Sequence, residues 1–180
     1  MKGFITGLLK GRKTRWGMLV AAIAAVAATV AWSTDSQVLA KLEGAWIGNS
    51  DNGIRGLGIF CPSDPSGRTA AFRYQMVVPP ENLVALGVDA FTDEIGESVV
   101  TGPTTGKYTA VWYGLVGGRI VTIFLDNSSF TLVSRTQLTI DHTVSVYLAA
   151  ADADHDGYPD PGSTPVAVLT AHTVSKRLTN

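Results

Sequence analysis

The chain has little of what organises a helical protein, and little of what builds a common active site. No long apolar run recurs with a 3.6-residue period, which argues against a helical bundle. One stretch, ENLVALGVDA (Glu81–Ala90), can hold a helical turn after Pro79-Pro80. The single cysteine, Cys61, excludes an internal disulfide, so an exported body must be held by its core, a metal or assembly. Cys61 itself reads as a buried, inert side chain. There is no nucleophile elbow, no HExxH and no cysteine–histidine set. GPTTGKY (Gly102–Tyr108) resembles a phosphate loop only superficially. It is one residue short between its glycines, lacks Ser or Thr after Lys107, and leads into a strand. Basic residues are scarce too. Residues 41–180 hold nine Lys and Arg against fourteen Asp and Glu, a net charge near −5. That argues against a nucleic-acid surface, which needs clustered cations to displace counterions.

The basic residues gather at the start. Lys2, Lys10, Arg12, Lys13 and Arg15 precede GMLVAAIAAVAATVAW (Gly17–Trp32), which carries no charge. A basic segment followed by an apolar one is an export signal. A small-x-small cleavage pattern stands at Val38-Leu39-Ala40. Uncut, the segment is an anchor that leaves the basic residues in the cytoplasm and the body outside. Residues 1–40 are therefore expected to be a signal peptide or membrane anchor, and 41–180 one exported domain. The body is secreted, periplasmic or tethered on the outer side. The membrane is met only through the N-terminal segment. Type IV pilins also begin with a basic leader and an apolar helix, but they carry a glutamate in that helix and this chain does not.

The body alternates. β-branched and aromatic runs are separated by Gly, Pro, Asn and Asp, the pattern of strands and turns. Strands are expected near 44–49, 54–61, 68–78, 95–101, 107–116, 119–125, 130–134, 136–149 and 165–177. In KYTAVWYGLV-GG-RIVTIFLD, the pair Gly117-Gly118 suits a two-residue turn whose central residues need positive φ. That turn places Trp112 opposite Ile123 and Ala110 opposite Leu125. In TIDHTVSVYLAA, Ile140, His142, Val144, Val146 and Leu148 share a face. Val166, Val168, Thr170, His172 and Val174 share another. A loop symmetric about Gly157 sets Val146 against Val168 and His142 against His172, and a slip in register separates them. Two imidazoles are too few for a closed metal site, so half-buried, hydrogen-bonded histidines are expected. Long strands joined by tight hairpins favour an all-β, antiparallel, up-and-down barrel, whose closure removes exposed edges. A β-sandwich is the alternative.

LEGAWIGN (Leu42–Asn49) opens the first strand, and its Gly44-x-Trp46 resembles the first-strand motif of lipocalins. Avidin-like barrels begin in a similar way. In lipocalins a basic residue on the last strand packs over that tryptophan, and Arg177 stands where it can do so. The resemblance covers these two ends. It implies a lipocalin-like barrel with an apolar cavity for a small ligand. Trp46 and Trp112 are the candidates to line it.

DADHDGYPD (Asp152–Asp160) has the DxDxDG spacing that resembles the calcium loops of EF-hands, dockerins and thrombospondin type 3 repeats. Ca²⁺ takes six to eight oxygens, and alternate side chains of a tight loop converge on it. Asp152, Asp154, Asp156, the Tyr158 carbonyl and Asp160 are the candidate ligands. The twelfth position is Ser163 and the flanks are strands, so the segment is not an EF-hand. It reads as a calcium-braced hairpin loop of weak affinity, about 10⁻⁴–10⁻³ M. The alternative is a solvated acidic loop. DAFTDEIGE (Asp89–Glu97) is also acidic. Paired carboxylates there could serve acid–base chemistry, and a solvated loop is the commoner outcome. Together these features predict an exported, non-catalytic barrel that binds a small apolar ligand. The rival is a filled barrel acting as an envelope or filament module through self-association. A hydrolase comes third, marked by carboxylates or histidines converging in a cleft.

Overall fold

The computed structural model describes residues 42–64 and 68–179. The N-terminal segment 1–40 lies outside them. The elements in chain order are β1 (Gly44–Ser50), β2 (Arg55–Pro62), β3 (Thr69–Val77), α1 (Pro80–Leu86), β4 (Ala90–Phe91), β5 (Glu94–Val100), β6 (Thr105–Val116), β7 (Arg119–Ser134), β8 (Gln137–Leu148) and β9 (Ala167–Arg177). A 3₁₀ turn, Ala149–Ala151, follows β8. Apart from the two-residue β4, which pairs with β6, each strand pairs antiparallel with the next, and β9 returns to β1. Among the described residues, eight strands thus close an up-and-down barrel, and the sandwich alternative falls. α1 is the short helix expected after the two prolines, and it stops at Gly87 in the left-handed conformation (φ 68°).

Alternation supplies the core. Every second residue of β6 from Gly106 to Gly114 is buried, as is every second residue of β7 from Thr122 to Leu132. One end of the barrel is packed solid. Leu42, Trp46, Phe60, Phe72, Val100, Phe130, Leu132, Leu138 and Ile140 form one buried cluster there. The guanidinium of Arg177 lies 5.7 Å from the Trp46 ring centroid, as expected, and also donates to the Glu43 carbonyl. Such a cation–π contact contributes about 0.5–1 kcal/mol at exposed sites. Trp46 Nε1–H donates to the Leu42 carbonyl at 2.7 Å, so its polar end is satisfied inside the core.

Four sequence expectations need correction. Gly117 and Gly118 do form the turn, with φ of 57° and 76°. A β-bulge then shifts the register between Gly114 and Leu115. Trp112 therefore faces Phe124, not Ile123, and Ala110 faces Asp126, not Leu125. One extra residue in one strand inverts the parity of the rest of the pair. Second, β7 does not break at DNSS. It runs unbroken from Arg119 to Ser134, with Asp126 and Ser128 pointing inward beside Phe124 and Phe130. Third, the β8–β9 loop is not symmetric. Val146 faces Ala167, His142 faces Ala171, and His172 faces Asp141. The one-residue offset turns Val166, Val168 and His172 outward and leaves Ala171, Thr173 and Ser175 as the inner face of β9. Cys61 also departs from expectation. It is exposed, because the buried positions of β2 are Gly56, Gly58 and Phe60.

Candidate functional site

The barrel is hollow at the end opposite Leu42 and Leu138. A cavity of about 460 Å³ reaches from Trp46, Phe60 and Phe72 up to the β1–β2 turn and α1. Its size lies within the ordinary range for small-molecule sites, roughly 300–1,000 Å³. Trp46 and Trp112, the two tryptophans expected at a cavity, both line it. Trp112 stacks on Phe124 with centroids 5.2 Å apart and planes 6° apart. Phe91 meets the same phenylalanine edge-on at 5.2 Å. At the mouth, Asn82 of α1 donates from its side-chain amide to the Asn52 carbonyl at 3.0 Å, tying the helix to the β1–β2 turn.

Glycines shape one wall. A Cβ at Gly48 would lie 2.5 Å from the Tyr74 hydroxyl, and one at Gly56 2.5 Å from the Tyr74 ring. The absence of side chains at Gly48 and Gly56 lets the Tyr74 ring lie flat against β1 and β2 with its hydroxyl toward the interior. Across the sheet Tyr74 sits directly opposite Glu94.

A polar cluster crosses this apolar interior. Asp126 is fully buried. Its Oδ2 lies 2.7 Å from His142 Nδ1 and accepts the Tyr108 hydroxyl at 3.0 Å. Its Oδ1 accepts the Ser128 hydroxyl. Tyr108 Oη is also 2.8 Å from His142 Nδ1, and His142 Nε2 is 2.9 Å from Thr173 Oγ1. With Nδ1 protonated, the imidazole donates to Asp126 and its Nε2 accepts from Thr173. Both ring nitrogens are thereby engaged, and the cluster is internally satisfied.

Glu94 is the exception. It is 5 % exposed and lines the cavity. Among the described residues, its Oε1 is the buried side-chain oxygen or nitrogen with no hydrogen-bond partner. Burial, and then the nearby Asp126, push its carboxyl well above the usual range. The same environment raises the phenols: burial and Glu94 for Tyr74, burial with Glu94 and Asp126 for Tyr108. A buried polar atom left unpaired costs about 1–3 kcal/mol, so Glu94 Oε1 has unused capacity for a hydrogen bond from whatever enters.

The loop after β8 is separate from this cavity. Oxygens of Asp152, Asp154 and Asp156 lie within 4.8 Å of one another. Asp160 turns aside to accept the Ala153 N–H at 3.0 Å. The Asp152 carboxylate accepts the N–H groups of Asp156 and Gly157, and Asp156 accepts that of Tyr158. Gly157 has φ 92°, and its carbonyl receives the Tyr113 hydroxyl of β6 at 3.0 Å, which seats the loop on the barrel wall. His142 and His172 do not meet. His172 is exposed, with Nδ1 2.7 Å from Asp141 Oδ1.

Sequence reasoning missed Glu94 and Asp126 as site residues. Glu94 lies in the acidic stretch for which a solvated loop is the commoner expectation, and Asp126 falls between the expected strands 119–125 and 130–134. The signal for Asp126 was present: Phe124, Asp126, Ser128 and Phe130 hold one parity, with aromatics at both ends.

Among solved structures, the chain is similar to EF1p2_mFAP2b bound to DFHBI, at 19% identity over 81% of this chain and 99% of that one, with a TM-score of 0.51. It also resembles a redesigned β-barrel, b11L5F_LGL, at 16% identity over 79% and 96% of the two chains, with a TM-score of 0.47. No protein-family model matches the chain, and the comparison with curated proteins finds none similar to it. The likeness concerns the fold: a closed antiparallel barrel.

Proposed function

We propose that this protein is a non-catalytic barrel that binds a small, largely apolar molecule in its interior. The observation that carries this is the cavity of about 460 Å³, walled by Trp46, Phe60, Phe72, Trp112 and Phe124 and open toward α1. A filled barrel was the mark of the rival assembly reading, and this barrel is not filled. Carboxyls and a histidine do converge in the cavity, as an acid–base enzyme would require. Both nitrogens of His142 are occupied by Asp126 and Thr173, however, so the arrangement supports holding a ligand better than moving its protons. The test is quenching of tryptophan fluorescence by apolar probes of one or two rings. Saturable quenching that disappears in Gly58→Phe, which fills the cavity beside Tyr74, is the expected result. No saturable quenching with any probe defeats the reading.

The same proposal includes calcium at Asp152, Asp154 and Asp156 as a brace on the β8–β9 loop. The nearness of the three carboxylates supports it, since they repel one another without a cation. It also includes export, supported by the basic start and apolar run of the N-terminal segment. Protease accessibility of the full chain in intact cells tests export: digestion from outside, or recovery in the medium, is expected, and complete protection until lysis overturns it.

A further inference from the structure

The charge count of the cavity selects among apolar ligands. Two carboxyl groups, Glu94 and Asp126, face it, with one imidazole, His142. Among the described residues that line it, none is Lys or Arg. An anionic ligand such as a fatty acid would meet acids with no cation to pair with. A ligand cation would meet both carboxyls and a wall of aromatic faces, which attract cations through their ring quadrupoles. Asp126 is already held by Tyr108, Ser128 and His142, which leaves Glu94 Oε1 as the available acceptor.

We propose that the cavity takes an apolar or aromatic molecule bearing one basic nitrogen, whose N–H is received by Glu94 Oε1. This inference rests on the ligand-binding reading and deepens it. The titratable groups that line the cavity with Glu94 are Tyr74 on β3, Tyr108 on β6, Asp126 on β7 and His142 on β8. The phenols carry no positive charge, and His142 is held by Asp126 and Thr173 through its two ring nitrogens, so neither is the hydrogen-bond partner of Glu94 Oε1. An ammonium arriving at the protonated acid displaces its proton to solvent and leaves an ammonium–carboxylate pair, so one proton is released for each ligand bound.

Isothermal titration of the full-length chain with three probes of one skeleton tests this: naphthalen-1-ylmethylamine, naphthalen-1-ylmethanol and naphthalene-1-carboxylate. The amine is expected to bind about tenfold or more tighter than the alcohol, and the carboxylate weakest. In Glu94→Gln the amine should fall to about the affinity of the alcohol. The apparent enthalpy of the amine, and not that of the alcohol, should vary with the ionisation enthalpy of the buffer. Equal affinities for amine and alcohol in the unmodified chain overturn the inference and leave the ligand cavity standing. So does a carboxylate that binds tightest, or an amine preference that survives in Glu94→Gln. Failure of all three probes to bind overturns both. The comparison of probes on the unmodified chain needs no variant to fold.

Discussion

The two ends of the barrel are made from the same eight strands and differ in what fills them. At the end holding Leu42, Phe130 and Leu138, inward side chains are apolar and meet across the axis. Toward α1, the inward positions are Glu94, Asp126, His142 and Thr173, with Trp112, Phe124, Val144 and Val146 above them. The solid end gains stability from apolar burial. The hollow end gives some of that up: it holds two buried acids and, among the described residues, leaves Glu94 Oε1 unpaired. The contrast separates a region that keeps the fold from a region that keeps space and polarity for a guest.

The comparison can be broken from either side. Leu138→Ala, in the solid end, is expected to destabilise the most, by about 2–5 kcal/mol in urea unfolding. A similar loss for Val146→Ala, in the cluster with Trp112 and Phe124, would erase the distinction. Asp126→Asn comes next. It turns one of the two oxygens that together accept from Tyr108, His142 and Ser128 into an amide donor, and should cost about 1.5–3 kcal/mol in the same measurement. No change would mean that the polar cluster contributes nothing to the fold. Glu94→Gln is expected to act in the opposite direction. The folded chain keeps the Glu94 proton at pH values where the unfolded chain loses it. Its contribution is complete below the ordinary glutamate range and is lost as pH rises through the raised pKa. At pH 7–8 the glutamine variant should therefore melt higher, by about 2–4 °C, and the two proteins should converge near pH 4. A lower melting temperature at pH 8 would contradict the protonated state. Asp154→Ala should have the smallest effect. It should lower stability by about 1 kcal/mol in millimolar calcium and leave it unchanged in chelator. Equal loss in both would leave the loop as a polar turn.

Much of the barrel was legible along the chain. The turn at Gly117-Gly118, the helix after Pro79-Pro80, the face carrying Ile140, His142, Val144 and Val146, and the seat of Arg177 over Trp46 all follow from nearby residues or a short motif. The polar site was harder to read. DNSS has turn composition, and DAFTDEIGE has the composition of a solvated loop. Their burial is decided by what lies across the barrel.

The sequence by itself therefore determined most of the strands, the tight hairpin at Gly117-Gly118 and the antiparallel order, because alternation and turn chemistry act over a few residues. Tertiary structure alone decided which side of each strand faces inward. The bulge at Gly114/Leu115 brought Asp126 opposite Ala110. The one-residue offset between β8 and β9 parted His142 from His172 and put Thr173 within reach of the imidazole. Closure then placed Glu94 beside Tyr74 with no partner for its oxygen. The physical reason is the two-residue period of a strand. A shift of one residue leaves local propensity unchanged and exchanges the two faces, and only packing across the barrel distinguishes them.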